Sequence, residues 1–233
     1  VGGQNVDSGV STLATSQIMC HAGYYSNYTT SPPNTDRVEC DEADAGYYSL
    51  GTYTQNGTLF SATEQIPCPS GTYQPNTTQS SCIEADKGFV AYGTAGGVDV
   101  LQMVTNDGYV SVSQEACEAG KFTNQTGQVE CLMTQTGYYS LGTVVTNGVI
   151  VNLADDQVPC PAGTYQGDID QSSCDNASAG HYSLGTYTHN GVTFPATEET
   201  ACVAGTYQPN TGQSSCIDAD AGYYAHSGTG SGN

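Results

Sequence analysis

The chain contains 233 residues, of which 37% are apolar, and it has no Trp, four Phe and 17 Tyr. This apolar share is below that of an ordinary globular domain, which argues against one large core and favours several small, cross-linked modules. Twenty-three acidic residues against three basic ones give a net charge of −20, so nucleic acid is excluded as a partner and anionic membrane surfaces are disfavoured.

Targeting and membrane signals are missing from the sequence as given. No apolar run approaches 18 residues, so no membrane insertion is expected. No basic start followed by an apolar stretch occurs at Val1. We therefore expect any signal peptide to have been removed or to lie upstream.

A pair of cysteines recurs five times along the chain. The first pair encloses 19 residues and each later pair encloses 13; the pairs are Cys20 and Cys40, Cys68 and Cys82, Cys117 and Cys131, Cys160 and Cys174, and Cys202 and Cys216. A first glycine follows every first cysteine by three residues: Gly23, Gly71, Gly120, Gly163 and Gly205. A second glycine follows every second cysteine by six: Gly46, Gly88, Gly137, Gly180 and Gly222. This regularity predicts a repeat architecture.

The ten cysteines are expected to form disulfides rather than metal sites. None lies in a Cys-x-x-Cys pair, and the four histidines match no zinc-ligand spacing. Disulfides place the chain in an oxidising compartment, so an extracellular or cell-surface location is predicted. Each bridge that closes a loop of about 15 residues contributes on the order of 3 kcal/mol to stability.

A predicted β-hairpin connects each second glycine to the next cysteine. In the first repeat, a Tyr- and Thr-rich run from Gly46 to Thr54 reaches the turn at Asn56-Gly57, and a second β-prone run follows. The same turn signal occurs at Asn147-Gly148 and Asn190-Gly191, and a longer version at Asn106-Asp107-Gly108. No helical period is present. We predict an all-β fold of small disulfide-stapled β-hairpin modules in tandem, forming an elongated repeat rod.

These signals divide the chain into five modules. Module 1 is 20–67, module 2 is 68–116, module 3 is 117–159, module 4 is 160–201 and module 5 is 202–233, with 1–19 as an N-terminal half-module. Module 5 has a first strand at Gly222–Gly230 without a return strand, and Ala14–Cys20 lines up with the return strand at Ala62–Cys68.

The two terminal segments therefore look like halves of one module. Three explanations are open: the chain is a window of a longer repeat protein, copies join head to tail by strand addition, or the chain closes as a ring. The ring ranks last, because five modules would close only with considerable curvature.

The repeat resembles a known family of cysteine-rich modules. The sequence Cys-Pro-Ala-Gly-Thr-Tyr-Gln at 160–166, the Gln-Ser-Ser-Cys after it and the recurring Ala-Gly-Tyr-Tyr are similar to the ephrin-receptor-like repeats, which are related to growth-factor-receptor-like modules of secreted and surface proteins. The resemblance covers Cys20 to Tyr224 and implies elongated, non-enzymatic scaffolding. Family modules carry four or more cysteines, whereas these carry two, so a bridge within each pair is the simplest arrangement.

Acidic groups after the second cysteines are weak calcium candidates. Hard cations require several oxygen ligands in one neighbourhood, and Asp41 with Asp44, and Asp218 with Asp220, could supply some. None matches a complete calcium loop. Solvated surface acids are the preferred interpretation, with calcium as the alternative and no other cofactor.

Five Asn-x-Ser/Thr sequons predict N-linked glycans. They lie at Asn27, Asn56, Asn76, Asn124 and Asn176, each in a predicted turn, cystine loop or connecting segment. A hydrated glycan coat suits a narrow rod. A Thr-rich surface without sugar is the alternative.

No catalytic residue is predicted. The carboxylates recur with the repeat, Trp is missing, no Gly-x-Ser-x-Gly elbow occurs and the cysteines are paired. The sequence therefore favours a structural subunit, or repeat unit, of an extracellular filament or surface appendage, with copies of itself joined head to tail. The alternative is a ligand-binding ectodomain of a receptor or adhesin, with the longer segment Gly96–Val112 as its candidate site.

Overall fold

The computed structural model describes residues 18–26, 40–92, 102–105 and 108–225. In these residues there are 26 short strands and no helix, and every strand pairs antiparallel in a two-stranded ladder. The prediction of disulfide-stapled β-hairpin modules is confirmed. No helix in the described ranges is long and apolar enough to cross a membrane.

The first ladder of each module closes the cystine loop, and we call it the cystine ladder. It joins the two residues after the first glycine to the two residues after the second cysteine, as in the pairs Thr72 with Glu84 and Tyr73 with Ile83. The strands are β1 (Tyr24–Tyr25) with β2 (Asp41–Glu42), β7 (Thr72–Tyr73) with β8 (Ile83–Glu84), β13 (Lys121–Phe122) with β14 (Leu132–Met133), β19 (Thr164–Tyr165) with β20 (Asp175–Asn176), and β25 (Thr206–Tyr207) with β26 (Ile217–Asp218).

The second ladder, the return ladder, joins the two residues after the second glycine to the two residues before the next cysteine. In module 1, Tyr47 lies opposite Pro67 and Tyr48 opposite Ile66. The strands are β3 (Tyr47–Tyr48) with β6 (Ile66–Pro67), β9 (Phe89–Val90) with β12 (Glu115–Ala116), β15 (Tyr138–Tyr139) with β18 (Val158–Pro159), and β21 (His181–Tyr182) with β24 (Thr200–Ala201).

Between the strands of each return ladder a longer turn hairpin projects. Its strands are β4 (Thr52–Gln55) with β5 (Thr58–Ser61), β10 (Gln102–Thr105) with β11 (Gly108–Ser111), β16 (Val144–Thr146) with β17 (Val149–Asn152), and β22 (Thr186–His189) with β23 (Val192–Pro195). Asn56 and Gly57 have φ of 51° and 78°, as a type I′ turn requires. The predicted Asn-Gly turns are therefore confirmed. Asn106 and Asp107 lie outside the described residues.

Five disulfides join the two cysteines of each pair, with Cα–Cα distances of 5.7–5.9 Å. Around the third bridge, Val90, Phe122 and Ala154 form a buried cluster with Cys117. Among the described residues, most buried apolar side chains are Cys or Ala, and the larger ones are Tyr47, Phe89, Val90, Val110 and Phe122. The described modules therefore depend strongly on cross-links and hydrogen bonds.

Several predictions fall on segments outside the described residues. These are most of the half-module 1–19, the glycosylation site Asn27, residues 96–101 and 106–107 of the segment Gly96–Val112, and the segment of module 5 after Ala225.

Candidate interaction site at the module faces

Successive modules are joined by backbone hydrogen bonds that recur at every junction. At the first junction, Gly46 N–H donates to the Gln74 carbonyl (2.7 Å), Ser49 N–H donates to the Gln79 carbonyl (2.9 Å), and Thr78 N–H donates back to the Ala43 carbonyl (2.7 Å). Two bonds therefore run forward from one module and one runs back. Because all six groups belong to the backbone, no side-chain polar group is needed for these three bonds.

The other three junctions repeat this pattern in the same order. The bonds are Gly88 to Thr123, Ala91 to Gln128 and Gly127 to Ala85; Gly137 to Gln166, Ser140 to Gln171 and Asp170 to Thr134; and Gly180 to Gln208, Ser183 to Gln213 and Gly212 to Ala177, all at 2.7–3.0 Å. Each module thus presents a front face, which begins at its second glycine, and a back face on its cystine loop. The faces of neighbouring modules are complementary.

Close backbone approach explains the first glycine of each repeat. Gly71 has a φ of +83°, and a Cβ atom there would overlap the carbonyl of Gly127 in the next module. Gly120 and Gly163 similarly face Asp170 and Gly212 of their following modules. Glycine is needed at this position both for its left-handed conformation and for the lack of a side chain.

The front face of module 5 is the uncovered member of this series. A Cβ atom at Gly205 or Gly222 would meet no atom within 4 Å among the described residues. Tyr223 and Tyr224 are largely exposed, whereas the corresponding Tyr47 is buried. The backbone conformation is the same, since φ is +87° at Gly205 and +83° at Gly71. Among the described residues, no segment lies against Gly205 as Gly127 lies against Gly71.

A buried glutamine holds the cystine loop in shape in modules 2, 4 and 5. Gln74 is almost fully buried, its Nε2 donates to the Ser81 carbonyl (2.8 Å), and its Oε1 accepts from Asn76 N–H (3.1 Å). Gln166 and Gln208 make the corresponding bonds. Because these same residues also supply the backbone acceptor for the preceding module, they couple loop shape to stacking. In module 3, Thr123 stands at the position of this glutamine, and its carbonyl accepts the bond from the Gly88 N–H of module 2.

A side-chain clip closes each module at the residue two positions before its second glycine. Asp44 N–H donates to Gln65 Oε1 (2.7 Å), and Gln65 Nε2 returns a bond to Asp44 Oδ2 (3.0 Å). The clips in modules 2, 3 and 4 are Asp86 with Gln114, Gln135 with Gln157, and Ser178 with Glu199. Sequence reasoning missed this role, although a signal existed: Gln or Glu stands three residues before Cys68, Cys117, Cys160 and Cys202.

Module 4 differs because Glu199 replaces the glutamine of the other clips, so a carboxylate accepts the backbone N–H. Ser178 N–H and the Ser178 hydroxyl both donate to the Glu199 carboxylate, at 2.6 and 2.7 Å from Oε2. The bond from the Ser178 N–H, and next the bond from the Ser178 hydroxyl, lower the pKa of Glu199 below its ordinary value. Burial raises this pKa in part, and the nearby His181 lowers it slightly. His181 Nδ1 lies 3.7 Å from Glu199 Oε1. In modules 2 and 4, burial raises the pKa of Tyr73 and Tyr165, and nearby carboxylates add to the effect.

The lowered pKa of Glu199 predicts that the clip of module 4 contributes a pH-dependent part of the stability. The ionised Glu199 stabilises the fold above its unfolded pKa of about 4.3, and this contribution is lost as pH falls through the lower folded pKa. Glu199→Gln should keep the N–H bond, as Gln157 does with Gln135, and remove the pH dependence. Chemical denaturation from pH 5 to 3 should show the two proteins converging in stability. A constant difference would contradict the role of this carboxylate.

The predicted calcium residues are exposed and only loosely grouped. Asp44 is held in its clip, and the Asp220 carbonyl accepts a bond from Tyr223 N–H. Among the described residues, no cluster of three or more His, Cys, Asp or Glu side chains could hold a metal ion. The calcium alternative at Asp41, Asp44, Asp218 and Asp220 stays a prediction.

The four described sequon asparagines, Asn56, Asn76, Asn124 and Asn176, are exposed. Asn56 occupies a turn tip, where a sugar would project away from the module. In the Asn176 sequon, the Ser178 hydroxyl is bonded to Glu199 in the folded module. Glycosylation therefore stays a prediction, with Asn56 the most accessible of the four by its position.

The turn hairpins expose apolar side chains and carry almost no charge. Tyr53 stacks on Phe60 across the first hairpin (ring centroids 5.6 Å apart), and Tyr187 stacks on Phe194 across the fourth (5.5 Å). The hairpin segments 50–62, 141–154 and 184–196 contain no Asp or Glu. Such aromatic cross-strand pairs stabilise each hairpin locally.

Comparison with known proteins places the chain in no family. No protein-family model matches the chain, and no curated protein matches it in sequence. The likeness to ephrin-receptor-like repeats therefore stays a prediction that rests on the spacing of cysteine, glycine and tyrosine.

Proposed function

We propose that this chain is a structural subunit, or repeat unit, of an extracellular, glycosylated filament or surface appendage. The observation that carries the proposal is the set of three backbone hydrogen bonds repeated at all four junctions. A stack built from one repeated contact has no intrinsic length limit, because each added module presents the same face again. The five disulfides suit an oxidising, extracellular setting.

The proposed partner is a second copy of the chain, placed head to tail. The first glycine of module 5, Gly205, has a φ of +87°, close to the +83° of Gly71, and no described atom lies within 4 Å of the position of its Cβ. The same contacts serve whether the following module comes from a longer polypeptide or from another copy.

The experiment is to image the purified chain by negative stain and to measure its sedimentation over a range of concentrations. We expect fibres one module wide. Tyr223→Asp should weaken assembly, because it places a charge where the corresponding Tyr47 is buried. Burial of one tyrosine contributes about 1.5–3 kcal/mol, so the critical concentration should rise roughly ten- to a hundredfold.

Val203→Asp is the matched control for that variant. Val203 lies in the same module as Tyr223 and is also exposed. It follows the first cysteine of its module, as Glu118 does in module 3. Glu118 is exposed although another module follows module 3, so this position is not covered by stacking. The control should assemble normally. Discrete monomers from the unmodified chain at all concentrations would reject the filament proposal.

A ligand-binding ectodomain is the second candidate, and one observation favours it. A cavity of about 330 Å³ lies beside the third disulfide, between modules 2 and 3, and is lined by Tyr92, Glu115, Lys121 and Glu130 among others. If this cavity recognises a ligand, Lys121→Ala should abolish binding on a glycan or protein array. Fibre formation would be unaffected.

A further inference from the structure

We propose that the chain is an extensible tether: under tension a module releases its turn hairpin, while its disulfide keeps the cystine loop closed. This function goes beyond the proposed filament, because it belongs to the single chain and does not require copies to assemble. It follows from the positions of the disulfides and backbone hydrogen bonds along the path that carries tension.

The disulfides remove the cystine loops from the path of tension. In module 3, tension that reaches Cys117 passes through the sulfur bridge to Cys131, and the Cα atoms of these two residues are 5.7 Å apart. The 13 residues between them lie beside the path and bear no load. The path then follows the chain from Cys131 to Cys160, the first cysteine of module 4. We call this stretch the connecting segment, and only such segments can lengthen while the bridges are intact.

The return ladder holds the two ends of the connecting segment together. Its residue pairs in module 3 are Tyr138 with Pro159 and Tyr139 with Val158. Beside these pairs, the Cys160 N–H donates to the Gly137 carbonyl (2.9 Å). Tension on the two ends therefore opens the ladder from one side, and each hydrogen bond carries the load in turn. A ladder loaded in this way opens at lower force than one whose bonds are all loaded together.

The connecting segments of modules 1, 2 and 4 are closed in the same way. The N–H of the following cysteine donates to the carbonyl of the second glycine at 2.8–2.9 Å: Cys68 to Gly46, Cys117 to Gly88 and Cys202 to Gly180. The second glycine stands six residues after the second cysteine. A closed connecting segment therefore spans less than about 30 Å.

The junction bonds act alongside the return ladder. They join the connecting segment of module 3 to the cystine loop of module 4, and they are Gly137 to Gln166, Ser140 to Gln171 and Asp170 to Thr134. Two further backbone bonds, Thr143 to Cys117 and Thr123 to Ala154, hold the base of the turn hairpin to its own cystine loop. Because these bonds connect a module to itself and to its neighbour, we expect the modules to open one at a time.

The sequence sets the length that each opening releases. From the second cysteine to the next first cysteine, the connecting segments of modules 1 to 4 span 28, 35, 29 and 28 positions. At about 3.5 Å per extended residue, and allowing for the closed span, modules 1, 3 and 4 should each release about 70–100 Å. Module 2 should release about 20–25 Å more.

The extension should be reversible, because the released part is local. The cystine loops stay closed, so the cysteines keep their partners, and the Asn147-Gly148 turn favours re-formation of the hairpin. Hairpins form in about 1–10 μs, which is far shorter than a stretching cycle that lasts seconds. The same steps should therefore recur when the chain is relaxed and stretched again.

Single-molecule stretching of the full chain, held by handles at its two ends, tests the proposal. We expect four steps in oxidising buffer, three of similar length and one longer. A reducing agent should add about 40–45 Å for every 13-residue loop that opens. Steps that do not change on reduction, or opening of the whole chain in one event, would overturn the proposal.

An added disulfide across the return ladder tests which element opens. Residues opposite each other in an antiparallel ladder have Cα atoms about 4.5–5.5 Å apart, which suits a disulfide. The double variant Tyr139→Cys with Val158→Cys closes the ladder of module 3 covalently, so its step of about 70–100 Å should disappear and three steps should remain.

The matched control places the added disulfide beside the turn of the same hairpin. Thr146 lies opposite Val149, so Thr146→Cys with Val149→Cys removes only the turn from the extensible length. This variant should keep all four steps and shorten one of them by less than about 10 Å. Disulfide mapping confirms that the five native bridges form in both variants. Four full steps with the ladder bridged, or loss of a step in the control, would overturn the assignment.

The outcomes separate this inference from the proposed function. Four steps from a chain that never forms fibres would support the tether and defeat the filament. Fibres from a chain that shows no such steps would defeat the tether alone.

Discussion

Gly71→Ala is expected to destabilise the chain by about 4 kcal/mol or more, whereas Gly205→Ala should cost roughly 1–2 kcal/mol. Both glycines are the first glycine of a module, with φ of +83° and +87°. Both substitutions therefore impose the same left-handed strain. Only at Gly71 would the new methyl group overlap the Gly127 carbonyl of the next module.

Urea denaturation of the two variants measures this difference, and amide hydrogen exchange locates it. In Gly71→Ala, the Gly127 amide, which bonds to Ala85 across the junction, should lose protection. The junction between modules 3 and 4 should stay protected, because each module contacts only its neighbours. Equal destabilisation by the two substitutions would show that strain alone, and not stacking, explains the glycine.

Removal of the third disulfide should have the second large effect. Replacing Cys117 and Cys131 by Ala should cost about 3 kcal/mol from the opened loop alone. Cys117 also belongs to the buried cluster of Val90, Phe122 and Ala154. Loss of the sulfur atoms there adds a packing cost, so the total should exceed that of any bridge outside the cluster.

The double variant of Cys202 and Cys216 to Ala is the control, because module 5 is followed by no described module and its loop also encloses 13 residues. This variant should unfold module 5 and leave the others intact. The Cys117 and Cys131 variant should instead separate modules 1 and 2 from modules 4 and 5 in hydrogen exchange. Identical melting curves for both variants would contradict a special role for the central module.

The acidic residues are distributed unevenly between the cystine loops and the turn hairpins. The acidic residues lie mostly on the cystine loops and connecting segments, where Glu42 and Glu84 accept hydrogen bonds from Thr78 and Thr126 of the next module. The hairpins at 50–62, 141–154 and 184–196 are free of acids. Electrostatic repulsion between copies therefore arises mainly between the carboxylates of their cystine loops. Physiological salt screens this repulsion at distances beyond about 8 Å.

Local chemistry alone determined much of this protein. Cysteine spacing predicted the disulfides, and Asn-Gly at 56–57 predicted a hairpin turn, because each signal acts within a few residues of itself. The alternation of stapled loop and hairpin followed from these signals. The glycosylation, calcium and filament predictions concern function, and the imaging and sedimentation experiments test the filament.

The tertiary structure decided how the modules meet. The sequence marks Gly71 as recurrent, but only the stack shows that it faces the Gly127 carbonyl some fifty residues away. The buried Gln74 and the clip between Asp44 and Gln65 were likewise invisible, because hydrogen bonds between distant segments depend on the path of the backbone and not on local pattern. The sequence by itself determined the module, and the packing of one backbone against the next determined the stack.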